Sequence, residues 1–287
     1  MLGAEDISGS VARLSISHYP NLRDASLDCL DSLFPLGTVI LIREPNYRMN
    51  SGIYAMIMIH SPSDIVALET DDPILKGVRW RFPLSVPKSP SSAEEWRARG
   101  TSEFKAQRWL SAAVCYTKGL KMDKNSQVLR LNRAETYLRL GWYFSSLHDV
   151  EQALRLGTIT DASLARKALL RSIRANYGMG RYERVVRIAG EHAHDVDCEE
   201  WLAKAKKRID EQTFGNYDWY KLFTEGKKPN ARLDVAEFRG PVEVRERKGQ
   251  PGVRGVFATR DVEIGELLVR SLLHNFCAHA NTHAGRW

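Results

Sequence analysis

The sequence predicts a mainly α-helical protein in which antiparallel helical hairpins repeat through the middle of the chain. Residue types recur at a spacing of 34 residues, and near Ser92 the hydrophobic period changes from that of strands to that of helices. Short apolar runs of strand length lie on both sides of this region. We therefore expect about three helical hairpins and a capping helix, flanked by small β units.

The repeat is visible when the helical segment is compared with itself 34 positions further on. Small residues coincide where two helices would cross, and large apolar residues coincide on either side, because crossing helices need close approach at one point and filled grooves beside it. The matched pairs are Gly100 with Ala134, Phe104 with Leu138, Trp109 with Tyr143, Ala112 with Ser146, Tyr116 with Val150, Gly119 with Ala153, Leu120 with Leu154 and Met122 with Leu156. A third unit matches Gly180 and Tyr182 to Gly141 and Tyr143, and Val185 to Ala112. An irregular helical bundle is the alternative.

Both ends of the helical region carry their own signals. Ser92, three residues before Glu95, is typical of a capping box that starts the first helix. The segment Cys198–Glu211 predicts a final helix that buries Trp201 and Ile209 and caps the stack. We expect the same helix to expose Lys204, Lys206, Lys207 and Arg208.

The first 90 residues are predicted to form β structure and loops. Apolar runs separated by Gly, Pro, Asn and Ser indicate a small antiparallel meander. Its strands are Thr38–Arg43, Tyr54–His60 and Asp64–Glu69, with a short helix at Ala25–Leu33 before them. Three prolines and four serines make Pro83–Ser92 a linker. The predicted regions are 1–90 for β and loop, 91–212 for the repeats, 213–239 for a connector and 240–287 for a second β region.

Composition narrows the functional classes. The net charge of +7 permits acidic partners, but the excess is spread along the chain, so we do not expect nucleic acid as a partner. No run approaches the ~20 apolar residues of a membrane helix, and we expect no membrane partner. The N-terminus has no secretory signal, and Cys29, Cys115, Cys198 and Cys277 form no CxxC pair. We therefore expect an intracellular protein, cytoplasmic or nuclear.

Over about 100 residues the repeat resembles the tetratricopeptide repeat family, whose hairpin stacks bind other proteins. Members of that family that bind the acidic C-terminal tails of heat-shock chaperones hold two carboxylates with five side chains on the inner face. The resemblance carries these positions to Arg97, Thr101, Asn132, Lys167 and Arg171 of this sequence. Cations and an Asn amide can hold carboxylates by charge-assisted hydrogen bonds. Ordinary solvated helix charges are the alternative for Lys167 and Arg171.

The segments Gly240–Val244, Gly252–Ala258 and Asp261–Leu268 resemble the opening strands of a SET domain. That family comprises S-adenosylmethionine-dependent protein-lysine methyltransferases, and a glycine-rich turn lets their backbone approach the cofactor. The resemblance assigns this cofactor-binding role to Arg254 and Gly255, with Val253 where the family has a further glycine. An ordinary β-hairpin is the alternative.

Two elements that such an enzyme needs do not occur in the sequence. There is no Asn-His dipeptide for the family's Asn-His-x-Cys segment, and no tyrosine follows Tyr220. We therefore assign no catalytic residue and expect this chain not to methylate a substrate, as in a family member cut short. S-adenosylmethionine is expected as a cofactor only for a complete SET domain.

Near the C-terminus, four residues have side chains of zinc-ligand type, namely His274, Cys277, His279 and His283. Their spacing follows no standard zinc motif and nothing upstream pairs with them. The pattern therefore favours a mobile tail and no metal site.

The sequence leaves three functional hypotheses. The first is a scaffold whose repeats bind a partner protein or peptide. The second is a lysine methyltransferase represented by a truncated chain. The third and weakest is nucleic-acid binding through the net positive charge, for which no platform of aromatic and basic residues is found.

Overall fold

The structure is a computed structural model that describes residues 2–17, 34, 37–50, 54–68, 72–81, 90–157, 159–228, 233–271 and 277–279. The chain divides into two compact units. Residues 1–142 with 148–158 form one unit, and residues 143–147 with 159–287 form the other. The predicted helix Ala25–Leu33 lies outside the described residues, as does most of the predicted linker. The predicted region boundaries remain predictions.

The described part of the chain is mainly helical, as predicted, with eight α-helices. They are α1 Ala93–Lys105, α2 Trp109–Met122, α3 Gln127–Leu140, α4 Tyr143–Arg155, α5 Ala162–Gly178, α6 Tyr182–Gly190, α7 Val196–Phe214 and α8 Trp219–Gly226. Consecutive pairs from α1 to α6 give the three predicted hairpins, and α7 follows as the expected capping helix. The helix α8 lies in the segment that was predicted as a connector.

Polar side chains fix where these helices begin. The Ser92 hydroxyl accepts the Glu95 N–H at 3.2 Å, which confirms the predicted start of α1. The Glu95 carboxylate accepts the Ser91 N–H at 2.7 Å, one residue earlier than a standard capping box requires. Ser126, Asp161, Asp195 and Asp218 cap α3, α5, α7 and α8 in the same way.

The predicted crossing points are buried. Gly100 and Ala134 lie in the core of their hairpins, and an added Cβ on Gly100 would come within 2.6 Å of the Tyr116 ring. Ala112, Ser146 and Val185 are all 0% exposed, as their shared repeat position requires. Leu120 is buried, whereas Leu154 at the equivalent repeat position is 52% exposed. The two leucines therefore differ in burial.

One prediction for the capping helix is wrong. Arg208 was expected to be exposed, but it is only 4% exposed and its Nη2 lies 2.8 Å from the Glu211 carboxylate. The helical period explains the difference, because Arg208 follows Trp201 and Ala205 on the buried face of α7. Lys206 and Lys207 are exposed, as predicted.

The N-terminal β region is not the predicted meander. Its strands are β1 Leu2–Glu5, β2 Val11–Ile16, β3 Val39–Ile42, β4 Asn46–Asn50, β5 Tyr54–Ile59 and β6 Ile65–Leu68. One sheet has the order β1-β2-β5-β4 with a parallel β2–β5 pair, and β3 pairs with β6 separately. The three predicted strands exist, but β5 pairs with strands that apolar runs alone did not reveal.

The C-terminal region contains short strands, as predicted, in two small sheets. They are β7 Phe238–Arg239, β8 Val242–Glu246, β9 Arg254–Ala258, β10 Leu267–Arg270 and β11 Cys277–His279. The strands β8 and β9 form an antiparallel hairpin, and β10 lies between β7 and β11. Of the predicted tail, β11 is described as a strand, while the positions of His274 and His283 fall outside the described residues.

Candidate peptide-binding residues

The first hairpin places Arg97 and Thr101 one turn apart on α1. Arg97 Nε donates to Glu94 Oε2 at 2.7 Å, and Arg97 Nη2 bonds to the second oxygen of the same carboxylate. The Thr101 hydroxyl donates to the Arg97 carbonyl at 2.9 Å and lies 3.3 Å from the Tyr116 hydroxyl. Both predicted site residues therefore have partners within their own unit.

Asn132 lies half-buried on α3 of the same unit. Among the described residues, its side-chain amide makes no hydrogen bond, so the amide can donate to a ligand carboxylate. Its neighbour Arg133 is committed to the fold, since Nε and Nη2 each donate to an Asp149 oxygen at 2.7 Å and Nη1 donates to Thr117 at 2.9 Å. Asn132 thus projects from a helix that a buried ion pair holds in place.

In the second unit, the predicted residues Lys167 and Arg171 lie on α5. This helix has four basic residues and no acidic one. Arg166 is bound to Asp195 and Asp197, and its hydrogen bond lowers the pKa of Asp195 to about 2. Lys167 is exposed and has no ion pair within the described part of the chain. Arg171 is only 9% exposed, so the alternative that it is an ordinary solvated charge is wrong.

A cluster of polar side chains, of which Arg208 and Glu211 are buried, ties α7 to the segment that precedes β7. The Glu211 carboxylate accepts the Ala236 N–H at 2.9 Å and pairs with Arg208, and burial raises the pKa of Glu211. The Tyr177 hydroxyl donates to the Asp234 carboxylate at 2.9 Å, and the Tyr217 hydroxyl donates to the Ala236 carbonyl at 2.8 Å. This cluster was not predicted from the sequence, although the three-residue spacing from Arg208 to Glu211 is that of a helical ion pair.

The residues assigned to a cofactor lie in the β8–β9 hairpin. Arg254 is exposed at the start of β9, and Gly255 pairs with Arg245 within the ladder. An added Cβ on Gly255 would approach the Phe257 ring to 3.0 Å, so its small size is explained by a neighbouring side chain. The glycines with a positive φ in this hairpin are Gly249 and Gly252, both in the connection between the strands. The assignment of Arg254 and Gly255 to a cofactor stays a prediction.

The structure also bears on metal ligands, membrane spans and cysteines. No group of three or more metal-ligating side chains occurs among the described residues. No described helix is both long and apolar enough to cross a membrane. Cys115 and Cys198 are free, buried thiols, and burial raises the pKa of Cys115 to about 11.

Comparison with known proteins finds relatives of several kinds, methyltransferases among them. A scan against models of protein families finds no match. A methyltransferase of Gibberella zeae is 25% identical over 273 residues, which are 92% of this chain and 36% of that protein. Protein-lysine N-methyltransferase SMYD4 of Danio rerio is 36% identical over 88 residues, which are 29% of this chain and 11% of that protein. The chain thus spans about a third or less of the length of these relatives.

Another kind comprises proteins associated with chaperones. Hsp70-Hsp90 organizing protein 3 of Arabidopsis thaliana is 26% identical over 124 residues, which are 42% of this chain and 21% of that protein. The second TPR domain of human RPAP3, solved with the HSP70 peptide SGPTIEEVD, is 28% identical, covers 40% of this chain and 95% of that chain, and has a TM-score of 0.36. With three hairpins, and with buried small residues 34 positions apart in the first two, the helical region is a tetratricopeptide-type array.

Proposed function

We propose that this chain is a protein-interaction module whose tetratricopeptide-type hairpins bind the acidic C-terminal segment of a partner protein. The observation that carries the proposal is the charge of α5, which has four basic residues and no acidic one and exposes Lys167. Positively charged donors on a rigid helix favour carboxylates, because such charge-assisted hydrogen bonds are strong. The tails of heat-shock chaperones are the proposed partners, and the similarity to an Arabidopsis Hsp70-Hsp90 organizing protein supports this choice.

The proposed peptide-binding residues contribute unequally. Lys167 is exposed and forms no ion pair with the described residues, whereas Arg171 is buried. Asn132 offers an amide donor, and Arg97 and Thr101 already have partners on α1. We therefore propose that Lys167 provides most of the affinity, and that Arg171, of which only 9% is exposed, and the Asn132 amide each add less.

Reversing the charge of Lys167 is expected to weaken binding of the peptide SGPTIEEVD by about tenfold or more. The substitution Lys167→Glu removes a charge-assisted contact of about 1.5–3 kcal/mol and adds repulsion to the ligand carboxylates. Isothermal titration calorimetry on the full chain measures the change. An Arg171→Gln variant, checked for folding by circular dichroism, is expected to show a smaller loss of affinity, because only 9% of Arg171 is exposed.

The matched control is Lys206→Glu, because Lys206 is an exposed lysine on α7 of the same unit. At a salt concentration that screens the change in net charge, the affinity of Lys206→Glu for the peptide should stay within about twofold of wild type. Equal losses in Lys167→Glu and Lys206→Glu would show that only net charge attracts the peptide, and the proposed site would be rejected.

A second candidate function rests on a different observation, the alignment of 92% of the chain with a Gibberella methyltransferase. Under this hypothesis the hairpin array and the β7–β11 region belong to an S-adenosylmethionine-dependent protein-lysine methyltransferase, and Arg254 and Gly255 face the cofactor. The two candidates are compatible, since an enzyme can hold its partner through a helical array.

Titration of S-adenosylmethionine against the purified chain separates these candidates. Because the sequence lacks the Asn-His-x-Cys segment and any tyrosine after Tyr220, we expect no heat of binding at millimolar cofactor. Saturable binding that is lost in an Arg254→Ala variant would contradict this expectation and support the enzymatic hypothesis for the chain as it stands.

A further inference from the structure

The contact between Glu94 and Arg97 has a consequence for any acidic ligand. The two residues are three positions apart on α1, and the Glu94 carboxylate is bound at the Nε and Nη2 edge of the guanidinium. This edge-on, two-point geometry is the one in which Arg binds carboxylates most specifically. The hydrogen bond from Arg97 lowers the pKa of Glu94. An internal carboxylate therefore occupies the position that a ligand carboxylate would take.

The first and third hairpins differ in this respect. The first helix, α1, carries Glu94, Glu95 and Glu103 beside its basic residues, whereas the described helix α5 has no acidic residue. The Thr101 hydroxyl donates its proton to the Arg97 carbonyl of the same helix, so this proton is not available to a ligand. The inner-face positions of α1 thus have no net charge to offer a ligand, and Lys167 on α5 has no such internal partner among the described residues.

We propose that Glu94 competes with the ligand carboxylate for Arg97 and so determines how much affinity this position adds. The proposal rests on the proposed function, because it concerns the same peptide-binding residues. A ligand carboxylate that reaches Arg97 must displace a chemically equivalent group, so the exchange gains little free energy. Arg97 then contributes little affinity in the wild-type chain.

A double-mutant cycle tests this competition. Calorimetric titrations with SGPTIEEVD are run on the full-length wild type, Glu94→Gln, Arg97→Gln and the double variant. Glu94→Gln keeps the shape of the side chain and releases Arg97, so we expect affinity to rise by about two- to fivefold, the range of an exposed ion pair. Arg97→Gln alone should leave affinity within about twofold of wild type, and in the double variant the gain should disappear.

The matched control is Glu200→Gln on α7, which removes the same charge from an exposed carboxylate that also has a basic partner, Lys204. It should not raise affinity. Equal affinities for Glu94→Gln and Glu200→Gln, or a gain that persists without Arg97, would overturn the competition while leaving the proposed function intact. Failure of wild type and all variants to bind the peptide would overturn the proposed function and this inference together.

Discussion

Replacing Asp149 by alanine is expected to destabilise the chain by about 3–5 kcal/mol, because it leaves a buried cation without its counter-charge. Asp149 is 1% exposed, and Arg133 binds both of its carboxylate oxygens. A second cation, Arg130, has its Nη1 atom 3.9 Å from Asp149 Oδ1. Burial by itself would lower the pKa of Arg133. The hydrogen bond to Asp149 and the charge of Asp149 outweigh burial, so the pKa of Arg133 is above its ordinary value. Urea unfolding monitored by circular dichroism measures the loss.

The control for this variant is His148→Ala, one residue earlier on the same helix. His148 is exposed, so the stability of this variant should stay close to that of wild type. Asp149→Asn is expected to fall between the two, since it keeps the shape but removes the charge and one acceptor. Equal stability of Asp149→Ala and His148→Ala would contradict the role assigned to the buried ion pair.

Removing the Glu211 side chain is expected to have an effect of similar size on the second unit. Glu211→Ala leaves Arg208 buried without its nearest carboxylate and leaves the Ala236 N–H without its acceptor. Loss of one partner of a buried pair costs about 3–5 kcal/mol. Because the lost contacts join α7 to the segment before β7, hydrogen exchange should increase most in residues 233–240 and at the C-terminal end of α7.

Two further variants test the cause of this loss. Glu200→Ala removes an exposed carboxylate from the same helix and should change stability by less than about 1 kcal/mol. An Arg208→Met/Glu211→Leu double variant removes both buried charges and should recover part of the stability lost in Glu211→Ala. A double variant less stable than Glu211→Ala would show that packing, and not charge, causes the loss.

The hairpin array could be predicted because its physical requirements leave a mark in the sequence. Close helix crossings demand small residues such as Gly100 and Ala112, and helix starts demand capping side chains such as Ser92. Strand pairing is harder to predict from the sequence. The strand β4 is polar and β2 alternates, so neither stands out as an apolar run, and the parallel β2–β5 pair depends on contacts distant in sequence.

The candidate site was predictable in part for similar reasons. The positions of the five residues follow from the repeat, and the Glu94–Arg97 contact follows from their three-residue spacing on a helix. The burial of Arg171 and Arg208 could not be predicted from residue type, because a charged side chain is buried only where neighbouring helices enclose it and a partner is present. Packing in the folded chain therefore decides which charges remain open to a ligand.

The most direct test of the account is to locate the bound peptide by NMR. Amide shifts of the isotope-labelled full chain are recorded while SGPTIEEVD is added. The account predicts saturable changes at Lys167 and Arg171 on α5 and at Asn132 on α3, with the exposed residue Phe144 on α4 unchanged. Changes confined to the β8–β9 hairpin or to α8, with α3 and α5 unaffected, would contradict it.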